Sequence, residues 1–226
     1  NTIECRHSKH MRKIAMNLKK IRFISEKLGT ILMKPFEFNG LNVTVNYAAR
    51  AKHAKNWLIA PHYHPWFEFN YVSKGSLYTT INEKEFLINA GDSYIIPPGI
   101  THSHRHNDTG DDGLCIRFSL GADEDNPILN TLLTAHAKPF ISDIDKINMQ
   151  GGIYGTETGF LSWIMHLYEI NSRDITPAAP VQNTFAAQVT LYLKEYFRDK
   201  VKSEDIANAM NTSYRTLARK FAAETG

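Results

Sequence analysis

The sequence predicts a mainly β fold, an antiparallel sandwich or barrel, followed by a helical C-terminal part. Three observations predict it. Between Pro35 and about Leu120 the chain falls into short strand-forming runs: Leu41 to Tyr47, Trp66 to Val72, Leu77 to Ile81, Glu85 to Ile88, Ser93 to Ile96 and Leu114 to Leu120. Turn residues punctuate them at Asn39-Gly40, Lys74-Gly75, Asn82-Glu83, Asn89-Ala90-Gly91, Pro97 to Gly99 and Asn107 to Gly113, as closely spaced antiparallel strands require. No helical pattern alternates with these runs, so a parallel sheet is not expected. Beyond Gly121 the apolar period lengthens to that of helices.

At 226 residues, 42% apolar and 22% charged, the chain is long enough for one large domain or two modest ones and is not disordered in composition. Cys5 and Cys115 are the only cysteines, which reads as two free thiols in a reducing compartment. No apolar run approaches the roughly 20 residues that span a bilayer, and no signal peptide is recognisable. A cytoplasmic protein without a membrane partner is the expectation. Charge is uneven: residues 1–34 hold nine Lys/Arg against Glu4 and Glu26, whereas the remainder is net negative. A basic surface must therefore be local.

In order along the chain, the first element is a basic amphipathic helix from Met11 to Met33, with Ile14, Leu18, Ile21, Leu28 and Leu32 at helical spacing among Arg12, Lys13, Lys19, Lys20, Arg22 and Lys27. It either docks on a neighbouring surface with its basic face in water, or contacts nucleic acid or a membrane surface. Within the β region, His62, His64 and Glu68 share one parity with Trp66 and Asn70, so in a strand they leave one face. After the Gly91-Asp92 turn and Pro97-Pro98-Gly99, His102, His104 and His106 share another face. Convergence of the two faces makes His62, His64, Glu68 and His102 a candidate site for a first-row divalent metal, with positions open to water or ligand. The alternative is a polar patch whose members hydrogen-bond each other or an organic molecule. His104 and His106 read as a strand-end polar face. Trp57, Tyr63, Trp66, Phe67 and Phe69 offer flat apolar surface for a sugar-like or aromatic ligand, or simply core.

Asn126 and Pro127 are an N-cap and first-turn pair opening a helix through Ile128, Leu129, Leu132 and Leu133. Gly151, Gly152 and Gly155 mark a flexible stretch before a second stripe, Phe160, Ile164, Leu167 and Tyr168. The stretch from Arg173 to Pro180 connects to a longer helix carrying Phe185, Val189, Tyr192, Leu193 and Phe197. Such stripes are core or a dimer seam. Finally, Ser203 caps a short helix with Glu204 and Asp205 in its first turn, Asn211 occupies a tight turn, and Thr212 or Ser213 caps a helix with Leu217 and Phe221 inward. That is the layout of a helix-turn-helix, with Tyr214, Arg215, Thr216, Ala218, Arg219 and Lys220 outward. Two helices at a turn also occur in bundles.

Both signals together resemble the AraC-type transcription regulators, which join an N-terminal cupin sensor to a C-terminal DNA-binding region. His62, His64, Glu68 and Gly75 fit the first cupin motif, and Gly91, Pro97, Gly99 and His102 fit the second, with His106 departing from the Asn that ends it. Ile206, Ala207, Ser213, Leu217, Arg219, Phe221 and Glu224-Thr225-Gly226 stand as in the first of that family's two helix-turn-helix units, Asn211 replacing its turn Gly. The second unit is missing from this sequence. The resemblance covers residues 35–226. It implies a double-stranded β-helix, or jelly-roll, cupin barrel over 35–121 and a helical connector and dimerisation region over 122–200. Residues 201–226 would be the first helix-turn-helix, and the basic helix of residues 1–34 lies outside the resemblance. The expected function is a homodimeric, ligand-responsive regulator and not an enzyme, with no catalytic residue. The effector, sugar-like or a small organic acid, would meet His62, His64, Trp66, Glu68, His102 and His104. A divalent ion (Zn, Ni, Fe or Mn) is the candidate cofactor, and Ser213, Arg215, Thr216, Arg219 and Lys220 would contact DNA. A metal-dependent cupin isomerase or dioxygenase is the alternative.

Overall fold

The computed structural model describes residues 18–123, 125–134, 149–172, 185–196, 201–210 and 212–225. Expectations for Cys5, for the helix before residue 18, for Arg173 to Pro180, for Phe197 and for Asn211 lie outside the described residues.

Seven antiparallel strands form one folded sheet: β1 (Phe36–Phe38), β2 (Leu41–His53), β3 (Leu58–His62), β4 (Phe67–Ile81), β5 (Lys84–Asn89), β6 (Ser93–Ile96) and β7 (His102–Gly121). Their order is β1-β2-β7-β4-β5, with β3 added to β7 and β6 to β4. This mainly antiparallel β architecture is the one the turn spacing predicts. Strand lengths differ from expectation. The runs on either side of Lys74-Gly75 are one strand, β4, and the Asn107 to Gly113 break lies inside β7. Both interruptions are bulges: pairing of β4 with β7 slips between Val72 and Lys74 and again between Gly75 and Leu77. A turn-rich sequence can therefore stay in the ladder when extra residues are looped out of one strand.

Alternation along β4 sends Phe67 and Phe69 to one side and Glu68 and Asn70 to the other. Phe67 and Phe69 are core and do not line the cavity that Glu68 and Asn70 face. They join Ile116 and Phe118 of β7, Val43 and Val45 of β2, and Phe160, Trp163, Ile164 and Leu167 of α3 (Ile153–Ser172) in one buried cluster. The Phe69 and Trp163 rings meet edge to face at 4.8 Å, and each such ring contributes about 1.5–3 kcal/mol by burial.

The helix at residues 18–29, α1, completes that core. Ile21, Ile24 and Leu28 of α1, and Ile31 in the turn that follows it, are buried in the same cluster, so the buried side includes Ile24 and Ile31 in addition to the expected Ile21 and Leu28. The helix stops before Leu32, which is exposed and bridges Val45 of β2. Lys27 Nζ donates to the Gly151 carbonyl at 2.8 Å, joining α1 to the start of α3. Gly155 is in the first turn of α3 and not in a flexible stretch, because a Cβ there would run into the Gln150 carbonyl oxygen. Asn126 caps α2 (Pro127–Leu133) as expected, its Oδ1 accepting the Ile128 and Leu129 N–H groups at 3.1 Å.

The last three helices, α4 (Phe185–Tyr196), α5 (Ser203–Ala209) and α6 (Tyr214–Thr225), share a separate cluster of Val189, Ala207, Ala209, Met210 and Leu217. The cap of α5 is corrected: Asp205 Oδ2 accepts the Lys202 N–H at 2.9 Å, and Ser203 is the first helical residue. Ser213 caps α6, its Oγ accepting the Thr216 N–H at 3.2 Å. Glu224 at the end of α6 accepts the Phe185 and Ala186 N–H groups, holding the start of α4. Among the described residues no helix is long and apolar enough to cross a membrane.

Candidate metal centre and ligand pocket

The residues expected on one strand face converge by another route. His62 ends β3, His64 lies in the β3–β4 connection, Glu68 is the second residue of β4, and His102 opens β7. His62 is paired with His102 across β3 and β7, which places their ring centroids 4.2 Å apart. Ligand nitrogens of His62, His64 and His102 all lie within 4.8 Å of one another, and Glu68, His102 and His104 form an overlapping group.

Ring orientation is set by the backbone. His62 Nδ1–H donates to the Ala60 carbonyl (3.0 Å), His64 Nδ1–H to Trp66 (2.9 Å) and His102 Nδ1–H to Ile100 (2.9 Å). A carbonyl only accepts, so each Nδ1 carries the proton and each Nε2 is the nitrogen left to face the centre. This tautomer is the one metal-binding imidazoles are given by their outer partners. His102 Nε2 is buried without a hydrogen-bond partner. His64 Nε2 points at Glu68 Oε2, 3.2 Å away, an approach that needs a proton or a metal ion between them. The donor set therefore fits a divalent ion of the nitrogen- and oxygen-loving kind, with His62, His64 and His102 as nitrogen ligands and Glu68 at their side.

Glu68 is the electrostatic hub. Burial alone would raise its pKa, but the contact with His64 and the Arg117 guanidinium, with a smaller part from His102, hold it well below the usual carboxylate range. Arg117 Nε donates to Oε2 at 2.8 Å and Asn70 Nδ2 to Oε1 at 2.9 Å. Arg117 sits directly opposite Glu68 in the β4–β7 register. Desolvation pushes His102 down to about 3 and His104 to about 4, each partly countered by Glu68. Both imidazoles are thus neutral ligands near neutral pH. His104 is buried, with Nδ1 3.1 Å from Thr79 Oγ1 and Nε2 3.9 Å from Glu68. It stands in one group with Glu68 and His102; the sequence reading has it both as a strand-end polar face and as an effector contact. Burial also pushes the free Cys115 thiol well up, so it is an inert wall residue.

A cavity of about 470 Å³ opens beside this centre, lined among others by Glu68, His104, Arg117, Cys115, Tyr47 and Trp57. Trp66 is buried and stacks on His64 with ring centroids 5.4 Å apart, backing that imidazole. Of the residues expected to touch DNA, Ser213, Arg215, Arg219 and Lys220 are exposed and Thr216 is half-buried, all on or at the start of α6. Lys220 lies over the Phe185 ring at 5.5 Å. Sequence reasoning missed Arg117, since only the strand register shows what stands opposite Glu68.

Residues 51–116 match the family described as the cupin domain. That stretch spans His62, His64, Glu68 and His102, so the antiparallel sheet contains a cupin domain, with His/Glu groups placed for a metal ion. No curated protein matches the chain. Solved structures similar to it include Bacillus subtilis oxalate decarboxylase, reported with Mn(II) centres (22% identity, 34% of this chain, 21% of that one, TM-score 0.29). Others are a Streptococcus pyogenes protein of unknown function (20%, 36% and 66%, 0.27) and KdgF from Halomonas sp. (14%, 38% and 86%, 0.30). The chain spans about a fifth of the oxalate decarboxylase chain. Likenesses this distant assign no activity to this chain. They do correct one expectation: with a decarboxylase among the structures similar to this barrel, the exclusion of an enzyme, drawn from the C-terminal helices, does not stand.

Proposed function

We propose that this chain is a ligand-responsive DNA-binding regulator in which the cupin barrel, holding a divalent ion at His62, His64, Glu68 and His102, captures a sugar-like molecule or small organic acid. The observation that carries it is the α5–turn–α6 pair. Its apolar side closes on α4 through Val189, Ala207, Ala209, Met210 and Leu217, while Arg215, Arg219 and Lys220 stay exposed on α6 behind the Ser213 cap. Arg215 and Arg219 stand exposed one turn apart on α6, with Arg219 and Lys220 bordering a cleft toward the barrel, a cationic pair of the kind a recognition helix brings to a major groove. A route from pocket to helix pair also exists. Strand β7 carries Arg117, which holds Glu68, and Ser119, whose Oγ donates to the Ala209 carbonyl at the end of α5 at 3.1 Å. A ligand that displaces Arg117 from Glu68 would shift β7 and with it the seat of α5, provided it binds the two arrangements unequally. A cytoplasmic homodimer, the division at 35–121, 122–200 and 201–226, and contacts of His62, His64, Trp66, Glu68, His102 and His104 with the effector belong to the same reading.

The test is duplex DNA binding across a salt series. Replacing Arg215 and Arg219 by Ala should flatten the slope of log affinity against log salt by about 2 and weaken binding at low salt. An unchanged slope would defeat the DNA assignment.

A second reading, a metal-dependent cupin enzyme of the isomerase or dioxygenase kind, is favoured by the unpartnered His102 Nε2, grouped with Glu68 and His104, which line the cavity. A bound ion there would supply Lewis-acid or oxygen chemistry. Arg117 and Asn70 would steady the Glu68 carboxylate for proton transfer. Turnover of a sugar or catechol by metal-loaded protein, lost in His64→Ala and kept in the Arg215→Ala/Arg219→Ala protein, would establish catalysis.

A further inference from the structure

The cavity has a second group of metal-type side chains that the site above leaves unused. His53 ends β2 and is the direct cross-strand partner of Asp111 on β7. His106 is also on β7, five residues before Asp111, yet the two face each other because β7 bulges there: His106 pairs with Leu77 and Asp111 with Gly75, only two residues apart on β4. Glycines lock this bulge. Gly110 has φ +65°, and a Cβ on it would strike the His53 carbonyl oxygen.

The contact between His106 and Asp111 needs either a proton or a metal ion between the two side chains. His106 Nδ1–H donates to the Trp57 carbonyl at 3.1 Å, so Nε2 is its remaining nitrogen, and that nitrogen is pressed against Asp111 Oδ1. His53 Nδ1 lies 3.0 Å from the same oxygen. In a neutral His106 two lone pairs are opposed at a buried position, with the His106 side chain 0% and that of Asp111 5% exposed. Arg50 does not relieve Asp111, since its guanidinium is taken by Asp112. Trp57 fixes both rings, stacking on His53 at 3.8 Å and tilting against His106 at 4.9 Å. The side chain of His53, 24% exposed, leaves an approach from solvent.

We propose that His53, His106 and Asp111 bind a divalent ion of the Zn(II) type, in a second site distinct from that of His62, His64 and His102. One ligand atom from each falls within 4.8 Å of the others. Two imidazole nitrogens and one carboxylate oxygen, with the remaining position toward the cavity, are the donor set of an open zinc site. The Trp57 carbonyl acts as the outer partner that orients His106. Because Glu68 and His104 line the same cavity, the two ions would flank one pocket.

The experiment is Zn(II) titration of metal-stripped full chain by calorimetry, with bound metal counted after dialysis. Wild type should take two ions; His53→Ala/His106→Ala and Asp111→Asn should each take one, and His64→Ala/His102→Ala one. Binding of Co(II) at the second site should quench Trp57, so the quenching phase lost in His53→Ala/His106→Ala should also be lost in Trp57→Phe. His53→Ala alone, a half-buried and milder change, should weaken the second site by more than about 100-fold, beyond what loss of an outer partner does. A single ion in wild type that folded His53→Ala/His106→Ala protein still binds, or two ions retained by folded His53→Ala and Asp111→Asn proteins, would overturn the assignment and leave a proton between His106 and Asp111.

Discussion

Replacing Arg117 by Met tests whether the polar floor of the barrel is held by the Glu68 hub. Glu68 is almost fully buried, and its carboxylate has three partners, Arg117 at 2.8 Å, Asn70 at 2.9 Å and His64 at 3.2 Å. Breaking a buried charge pair from one side costs about 3–5 kcal/mol. Arg117 is 32% exposed in its side chain, so water screens part of the loss, and two partners remain; about 2 kcal/mol is expected, near the worth of one hydrogen bond to a charged group. Urea unfolding of metal-stripped protein at pH 7 measures it. In Glu68→Gln the charge that needs Arg117 is gone, so Arg117→Met should cost far less there, a coupling of about 1 kcal/mol or more in the double-mutant cycle. The pH trend follows from sign. Glu68 has a depressed folded pKa, so its stabilisation is present above the usual carboxylate range and lost as pH falls through the folded value. The wild-type advantage over Arg117→Met should therefore narrow toward acid. A cost under about 0.5 kcal/mol, or strict additivity with Glu68→Gln, would refute the hub.

Three further outcomes are expected. Metal-stripped protein should lose stability as pH falls from about 6.5, because His102 and His104 are pushed down to about 3 and 4 and the unfolded chain binds their protons first. The loss should be on the order of 3 kcal/mol by pH 5, and His102→Gln/His104→Gln should flatten the curve. Phe69→Ala, which removes the ring seated against Trp163, should cost about 3–5 kcal/mol in urea without changing the number of bound ions. Gly155→Ala should lower the melting temperature, since its Cβ meets the Gln150 carbonyl, whereas Gly152→Ala, with open space around it, should not.

Local chemistry was legible in the sequence where one residue decides it. Asn126 before Pro127 and Ser213 before Tyr214 cap their helices because the side-chain oxygen reaches only the next turn. The shared parity of Glu68 and Asn70 likewise puts both on the cavity side, although Phe67 and Phe69, open in the sequence to either pocket or core, are settled only by the packing. What stayed hidden depends on pairing between distant strands. Arg117 is 49 positions from Glu68, and only the β4–β7 register sets them opposite. His53, His106 and Asp111 meet through a bulge that reads in sequence as a loop. His64 reached its place from a connection and not from a strand face, so the motif spacing was right for a geometry the parity argument did not describe. The expected burial of Leu32 fails because the helix ends at residue 29, and the turn after it buries Ile31 and exposes Leu32.

The most direct measurement is an anomalous-difference map from crystals of the full chain equilibrated with Co(II). The account predicts a peak within about 2.0–2.2 Å of Nε2 of His62, His64 and His102, with the three Nδ1–H bonds to Ala60, Trp66 and Ile100 retained. A fully formed barrel with no peak between those nitrogens at saturating Co(II) would contradict it.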